Sequence, residues 1–421
     1  MPIYLYLASD KPELLSQARS QFRQLCLFPL LLVQRSFRMY KLLLIAVALV
    51  TCMSTAYCVL CIIAAAQYIS RRARPLSVSH NLPPFSILKA LKGTDPEMYE
   101  SLRSHCAQDY PEYEILFGIS DPQDPAAVIV KQLQREFPNR SIQLLHCEKD
   151  LGPNSKVSSL AQLAVVAKYD MLLVNDSDIR VQSSYLSIVA TELQQPGVGL
   201  VTCPYRGVPA RTFGSRLESL GISTDFMPGV LVAMQIERGP RFGLGSTLAL
   251  RKRDLEAIGG FEVLADYLAD DYQLGRRIAE RNLRIELSRT IVETYLPNYD
   301  FAGFITHQLR WMRTIRASRP AGYAGLPLTF TLLWAMLSVI LARGAQWAWG
   351  LFAVAVLLRF AAAIVTGGFV LCDRSLLRLF WLLPLRDLLA PFVWMAGLVG
   401  RKIVWRGKVF ELEHGKLISR D

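Results

Sequence analysis

From Leu42 to Ala66 the chain runs 25 residues without a formal charge, between Lys41 on one side and Arg71, Arg72 and Arg74 on the other. About 20 consecutive apolar residues let a helix cross the hydrocarbon core of a bilayer. Residues 41–70 are therefore predicted to be a transmembrane helix behind an N-terminal extension, residues 1–40. The run is too long for the apolar part of a cleaved signal peptide. Met39 offers an alternative start. Cys58 and Cys61 form a C-x-x-C inside the span, where thiolates are disfavoured, so small apolar filler is expected rather than a redox pair.

Apolar sequence returns between residues 326 and 400. Leu326 to Ala342 is a 17-residue run, and Trp347 to Leu371 is broken only by Arg359. Both are predicted to span. Leu379 to Gly400 holds Pro384, Pro391 and the Arg386-Asp387 pair, so a broken span or a re-entrant or interfacial segment is expected. The tail, residues 401–421, carries Arg401, Lys402, Arg406 and Lys408 and should be cytoplasmic by the positive-inside rule. With the loop after the first span on the same side, an even number of spans must follow it.

Charge supports this layout. Of the formal +12 on 421 residues, residues 1–84 carry +7, residues 85–299 carry −4 and residues 300–421 carry +9. A nucleic-acid binder concentrates positive charge on its folded domain. Here the charge flanks the hydrophobic ends, as in a protein lying on anionic lipid, and no nucleic-acid partner is expected. Eight cysteines, scattered over this length, are too few for a disulfide scaffold.

Between the membrane segments, residues 85–300 alternate apolar runs with helical patterns. Phe85–Leu88, Glu114–Ile119, Ile142–Leu145, Met171–Val174 and Val198–Val201 are predicted strands. Helices are expected at about 96–108, 125–137, 155–168 and 183–194. The fold class is α/β, with an open and mostly parallel sheet. Such sheets bind ligands beyond the carboxyl ends of their strands.

Acids stand at those ends. Asp121 follows one strand, and Asp176-Ser177-Asp178 follows another directly. A D-x-D there offers hard oxygens for Mg²⁺ or Mn²⁺, which neutralises a departing diphosphate. Capping of turns is the plainer use of aspartate. Asp270 and Asp271 open a helix, where they either complement its dipole or supply a general base. Residues 301–320 are predicted to form an amphipathic helix at the bilayer surface, with Arg310, Arg313, Arg316 and Arg319 interleaved with apolar side chains. It is either a lipid anchor or an anchor that also contacts diphosphate and acceptor.

Taken together, these features resemble the ceramide glucosyltransferase family, whose members place a GT-A domain beside membrane helices. The likeness runs through Ile87–Pro96, Asp109–Glu114, Asp124-Pro125-Ala126, Gly152-Pro153-Asn154-Ser155-Lys156, Asn175–Val181 and Gly259-Gly260-Phe261. The family signature is three separated aspartates followed by (Q/R)-x-x-R-W. By resemblance, Asp121 contacts the nucleoside of a UDP-sugar, Asp176 and Asp178 hold metal and diphosphate, Asp271 is the catalytic base, and Arg310 and Trp311 close the motif. Lys156 is placed with the donor. Asp270, His307 and Arg313 fall on the acceptor or diphosphate side, with His307 where the family has Gln or Arg. The stretch Arg313–Pro320, Gly322-Tyr323 and the tail Trp405-Arg406-Gly407-Lys408 look like the bacterial hopanoid-associated branch. That likeness implies transfer of N-acetylglucosamine from UDP-GlcNAc to a hopanoid such as bacteriohopanetetrol at the cytoplasmic face of the inner membrane. UDP-glucose with ceramide is the alternative pair. A processive polysaccharide synthase and a non-catalytic membrane scaffold or transporter component are the remaining readings. Arg211, Arg216 and Glu218 are expected in a loop near the acceptor, without an assigned role.

Overall fold

The structure, a computed structural model, describes residues 12–76, 81–237, 239–405 and 408–419. Seven strands make the main sheet: β1 (Phe85–Leu91), β2 (Tyr113–Ile119), β3 (Ser141–His146), β4 (Met171–Val174), β6 (Val198–Thr202), β8 (Leu248–Arg251) and β9 (Arg284–Leu287), in the order β3-β2-β1-β4-β8-β6-β9. β5 (Ile179–Arg180), β7 (Tyr205–Val208) and β10 (Val292–Tyr295) form a smaller sheet, ordered β5-β10-β7. The five expected strands are present, and the expected helices appear as Met98–Cys106, Ala126–Glu136, Ser155–Val166 and Tyr185–Leu193. Both faces of the main sheet are covered, so β1, β2 and β6 are buried along almost their whole length and are mostly apolar, with Ser86, Lys89 and Glu114 as buried polar exceptions.

β8 breaks the expected parallel run. It is antiparallel to both β4 and β6, with Leu248 opposite Val174. The chain entering β8 therefore runs beside the chain leaving β4, which sets Gly245 next to Asp176. Likewise β10 is antiparallel to β5, with Thr294 opposite Ile179, so Thr294 meets Asp178.

Three helices among the described residues are long and apolar enough to cross a membrane: Arg38–Ala73, Phe213–Ile236 and Gln346–Val370. The pair Pro320–Thr329 and Thr331–Leu341 passes the same test as one element bent by 53°. The first helix begins at Pro12, so the described part of the extension continues into it. Its Thr51 and Ser54 hydroxyls meet Ser338 and Thr331 at 2.9 Å each, the small polar pairing that joins helices in lipid. Leu383–Leu398, with Pro391 inside, is too short to span.

Phe213–Ile236 corrects the expected loop and places, within residues 85–300, a helix long and apolar enough to cross a membrane. It is helical throughout, with a π turn at Ile222–Phe226, and it packs against the first membrane helix and the π turn Ile364–Val370. Its acids, Glu218 and Asp225, hid its apolar character. The tail is likewise more than a basic extension. Lys402–Trp405, Lys408–Glu413 and Lys416–Ser419 form an antiparallel sheet. Ile403, Phe410, Leu412 and Leu417 share its buried side, and His414-Gly415, both at positive φ, make the hairpin turn. This sheet grips the segment ahead of Asp270, where the Leu417 amide donates to the Asp266 carbonyl at 2.7 Å.

Candidate functional site

Lys156 lies in the first turn of Ser155–Val166, a helix capped by Asn154, whose Oδ1 accepts from the Val157 amide at 3.2 Å. The Asn154 side-chain amide also donates to the Tyr267 carbonyl at 2.7 Å and to Asp270 Oδ1 at 3.4 Å. The Gly152–Lys156 stretch thus joins this helix to the start of Asp270–Glu280. Lys156 Nζ then reaches Asp176 Oδ1 at 2.7 Å and Asp270 Oδ2 at 3.4 Å. Burial disfavours its charge, but Asp176 and Asp270 outweigh that and hold the ammonium charged. From below, the fully buried Lys89 donates to the Asp176 carbonyl at 3.1 Å. Burial brings Lys89 down to about 7, against the pull of Asp176 and Asp178.

Asp271 joins this group across Gly245. A Cβ at Gly245 would stand 3.2 Å from Asp176 Oδ2 and 3.2 Å from Asp271 Oδ2. Gly275 allows the approach, because a Cβ there would lie 2.2 Å from the Gly243 nitrogen. Burial, then the neighbouring charge of Asp270, pushes Asp271 up to about 6. A carboxylate so tuned is suited to accept a proton near neutral pH.

Among the described residues no group of three or more His, Cys, Asp and Glu side chains makes a metal cage. Mg²⁺ and Mn²⁺ need less, since they bind through one or two carboxylates with phosphate oxygens and water. The space beside Gly245, faced by one oxygen each from Asp176 and Asp271, fits that requirement. Asp178, expected as the second metal ligand, has its Oδ2 occupied by the Thr294 hydroxyl at 2.6 Å. Burial, then the charge of Asp176, pushes it up to about 7. Asp121 is exposed after β2, where its Oδ1 accepts from the Gln123 amide at 2.9 Å.

The motif carried by the helix Phe301–Ser318 lies along a row of rings. Tyr205 meets Phe226 at 5.3 Å between centroids, and Phe226 meets Trp311 at 5.5 Å. Trp311 meets His307 at 5.4 Å, and His307 stacks on Tyr299 at 5.2 Å. Burial pushes the Tyr205 hydroxyl up, and the charges of Asp271, Glu218, Asp178 and Asp176 add to the shift. Burial pushes Tyr299 up to about 12, with Glu218 adding to the shift and Arg310 opposing it. Arg313 turns elsewhere: its guanidinium donates to the Lys402 carbonyl at 2.6 Å, on the C-terminal sheet. Sequence reasoning gave no part in the site to Thr294, Gly245 or Asn154, nor a role to Lys89 and Glu218.

Ceramide glucosyltransferase 3 of Caenorhabditis elegans is 25% identical over 350 residues, covering 80% of this chain and 74% of the relative. Ceramide glucosyltransferase of Komagataella phaffii is 35% identical over 125 residues, covering 29% of this chain and 24% of the relative. Among solved structures, the mannosyltransferase PcManGT from Pyrobaculum calidifontis in complex with GDP-Man and Mn²⁺ is similar at a TM-score of 0.47 and 18% identity, over 83% of this chain and 96% of that one. The S. aureus protein TarS 1-349 in complex with UDP-GlcNAc gives a TM-score of 0.37 and 13% identity, over 80% of this chain and 99% of that one. The sequence pattern of Glycosyl transferase family 21 matches residues 43–418, nearly the whole chain, and the protein therefore belongs to that family of glycosyltransferases.

Proposed function

We propose that this glycosyltransferase moves a sugar from a UDP-sugar to a hydroxyl of a membrane lipid, with inversion at the anomeric carbon. The observation that carries the proposal is the convergence of Asp176, Asp271 and Lys156 beside Gly245, in a protein that has helices long and apolar enough to cross a membrane. Asp271 takes the proton of the acceptor hydroxyl as its oxygen attacks the anomeric carbon. The bond from that carbon to the diphosphate breaks, and UDP leaves. Lys156, held charged, balances Asp176 and Asp270. Asp176, with an oxygen of Asp271 nearby, would hold Mg²⁺ or Mn²⁺, which supplies charge neutralisation at the leaving diphosphate. Asp121, by resemblance, lies on the uridine side. The catalytic domain faces the cytoplasm, and the lipid stays in the inner membrane.

The donor and acceptor assigned here are UDP-GlcNAc and a polyhydroxylated hopanoid, on the residues that look like the hopanoid-associated branch. UDP-glucose with ceramide is the second reading, and the relatives, ceramide glucosyltransferases, support it equally. Membranes expressing the wild type or Asp271→Asn are supplied with each labelled donor and with bacteriohopanetetrol or ceramide. The expected product is a labelled lipid from one pair, with turnover falling by about 10²–10⁴-fold in Asp271→Asn while UDP binding persists. Equal loss of UDP binding in that variant would overturn the base assignment and leave Asp271 a donor-side or structural residue. Absence of labelled lipid from every pair would refute lipid transfer to these acceptors.

A further inference from the structure

We propose that Glu218 is a positioning residue for the acceptor side of the site, acting through His307; this rests on the lipid-transfer reading above. Glu218 is buried on the apolar helix Phe213–Ile236, where an ionised carboxylate persists only when each oxygen is matched. Oε2 accepts from Gln308 Nε2 at 2.8 Å, and Oε1 lies 3.2 Å from His307 Nδ1, an ion-pair distance without hydrogen-bond alignment.

The line continues into the membrane segments. Gln308 Oε1 accepts from Arg386 Nη2 at 3.0 Å. Arg386 lies over Gly221, where a Cβ would stand 2.3 Å from Nη2. Its Nε is 3.5 Å from Asp225 Oδ2, and Arg359 Nη2 meets Asp225 Oδ1 at 2.7 Å. A buried polar chain thus runs from Arg359 and Arg386 to the helix that carries Arg310 and Trp311.

At its end the His307 ring is fixed twice. Stacking on Tyr299, with Trp311 tilted against the other side, sets its plane, and the charge of Glu218 beside Nδ1 favours one rotation within that plane. With Nδ1 turned to Glu218, Nε2 is the nitrogen left for a ligand. His307 is spaced three and four residues from Arg310 and Trp311, hence on one helix face with them. The ring row runs from Tyr205 on β7 through Phe226 of the apolar helix to Trp311 and His307, so the group assigned to His307 is the hydroxyl-bearing end of the lipid acceptor. A hydroxyl both donates and accepts, and so pairs with the ring in either protonation state.

The test is a double-mutant cycle on the full-length enzyme in lipid nanodiscs, using the donor and lipid that give product with the wild type. Glu218→Gln keeps size and hydrogen-bonding capacity, and His307→Gln removes the imidazole. Glu218→Gln is expected to leave UDP binding within about twofold and to lower kcat/KM for the lipid by about tenfold or more. In the His307→Gln background the same change is expected to cost nothing further. Equal losses in both backgrounds, or a parallel loss of UDP binding, would overturn the proposal and leave Glu218 a packing residue. Should Glu218→Gln fail to fold, Gly221→Ala displaces Arg386 with every charge retained, and additivity of that change with His307→Gln overturns the proposal equally. A wild type that glycosylates no lipid refutes the functional reading and this proposal together, whereas an active wild type with an additive cycle refutes this proposal alone.

Discussion

Gly245→Ala is the smallest change that probes the space between the acids. Gly245 is not at positive φ, so alanine adopts its backbone without strain. The added methyl would stand 3.2 Å from Asp176 Oδ2 and from Asp271 Oδ2, a few tenths of an ångström inside ordinary contact. The carboxylates yield by that amount, and the midpoint of thermal unfolding is expected to stay close to wild type. A divalent cation held at about 2.0–2.1 Å from a carboxylate oxygen on this side would overlap the methyl. Affinity for UDP in the presence of Mn²⁺ is therefore expected to fall to the metal-free value. Turnover is expected to fall on the order of a hundredfold or more, because the leaving diphosphate loses its cation. Titration calorimetry with UDP, with and without Mn²⁺, separates the terms. Wild-type affinity with Mn²⁺ would show that the cation is held elsewhere. An equal loss without Mn²⁺ would show that the methyl blocks the nucleotide itself.

Other consequences are equally direct. Asp271, raised to about 6, must be ionised to accept a proton, so activity is expected to fall about tenfold per pH unit below 6. Asp270→Asn removes a charge that raises Asp271 and should move that limb to lower pH; a move to higher pH would contradict the assignment. Asn154→Ala removes a helix cap and the bonds to Tyr267 and Asp270. It should cost about 1–2 kcal/mol, and an unchanged unfolding midpoint would count against this account. Arg359→Met leaves Asp225 and Asp387 without their shared partner. A destabilisation of about 3–5 kcal/mol is expected, largely recovered when Asp387→Leu is added, and failure of that recovery would dismiss the pair as its cause.

The parts of the fold legible in the sequence are those whose burial is local. β4 is Met171–Val174 residue for residue, because a strand covered on both faces is an unbroken apolar run with turn chemistry after it. β8 has no such mark. Leu248–Arg251 is four residues long and follows a glycine-rich loop, and its antiparallel place between β4 and β6 comes from pairing across the chain. The C-terminal sheet did carry a signal, in the alternation of Ile403, Trp405, Phe410 and Leu412 and in the His414-Gly415 turn, but its positive charge drew the reading toward a tail.

For the site, aspartates directly after apolar strands stand out in one dimension, and their partners do not. Thr294 lies 116 positions from Asp178, and Gln308 lies 90 from Glu218. Gly245 matters for the side chain it lacks. The charges inside the membrane segments make the same point in physical terms. Arg359, Arg386 and Asp387, read along the chain, are costly groups in hydrocarbon that would mark a transport route. In the fold Arg359 clasps Asp387 at 2.7 and 2.8 Å and reaches Asp225 from another segment, while Arg386 bridges Asp225 and Gln308. A transport route needs charges that face water and exchange partners. These face one another, and their attraction ties Phe213–Ile236 to Gln346–Val370 and Leu383–Leu398, while the Arg386–Gln308 hydrogen bond carries the link on to Phe301–Ser318.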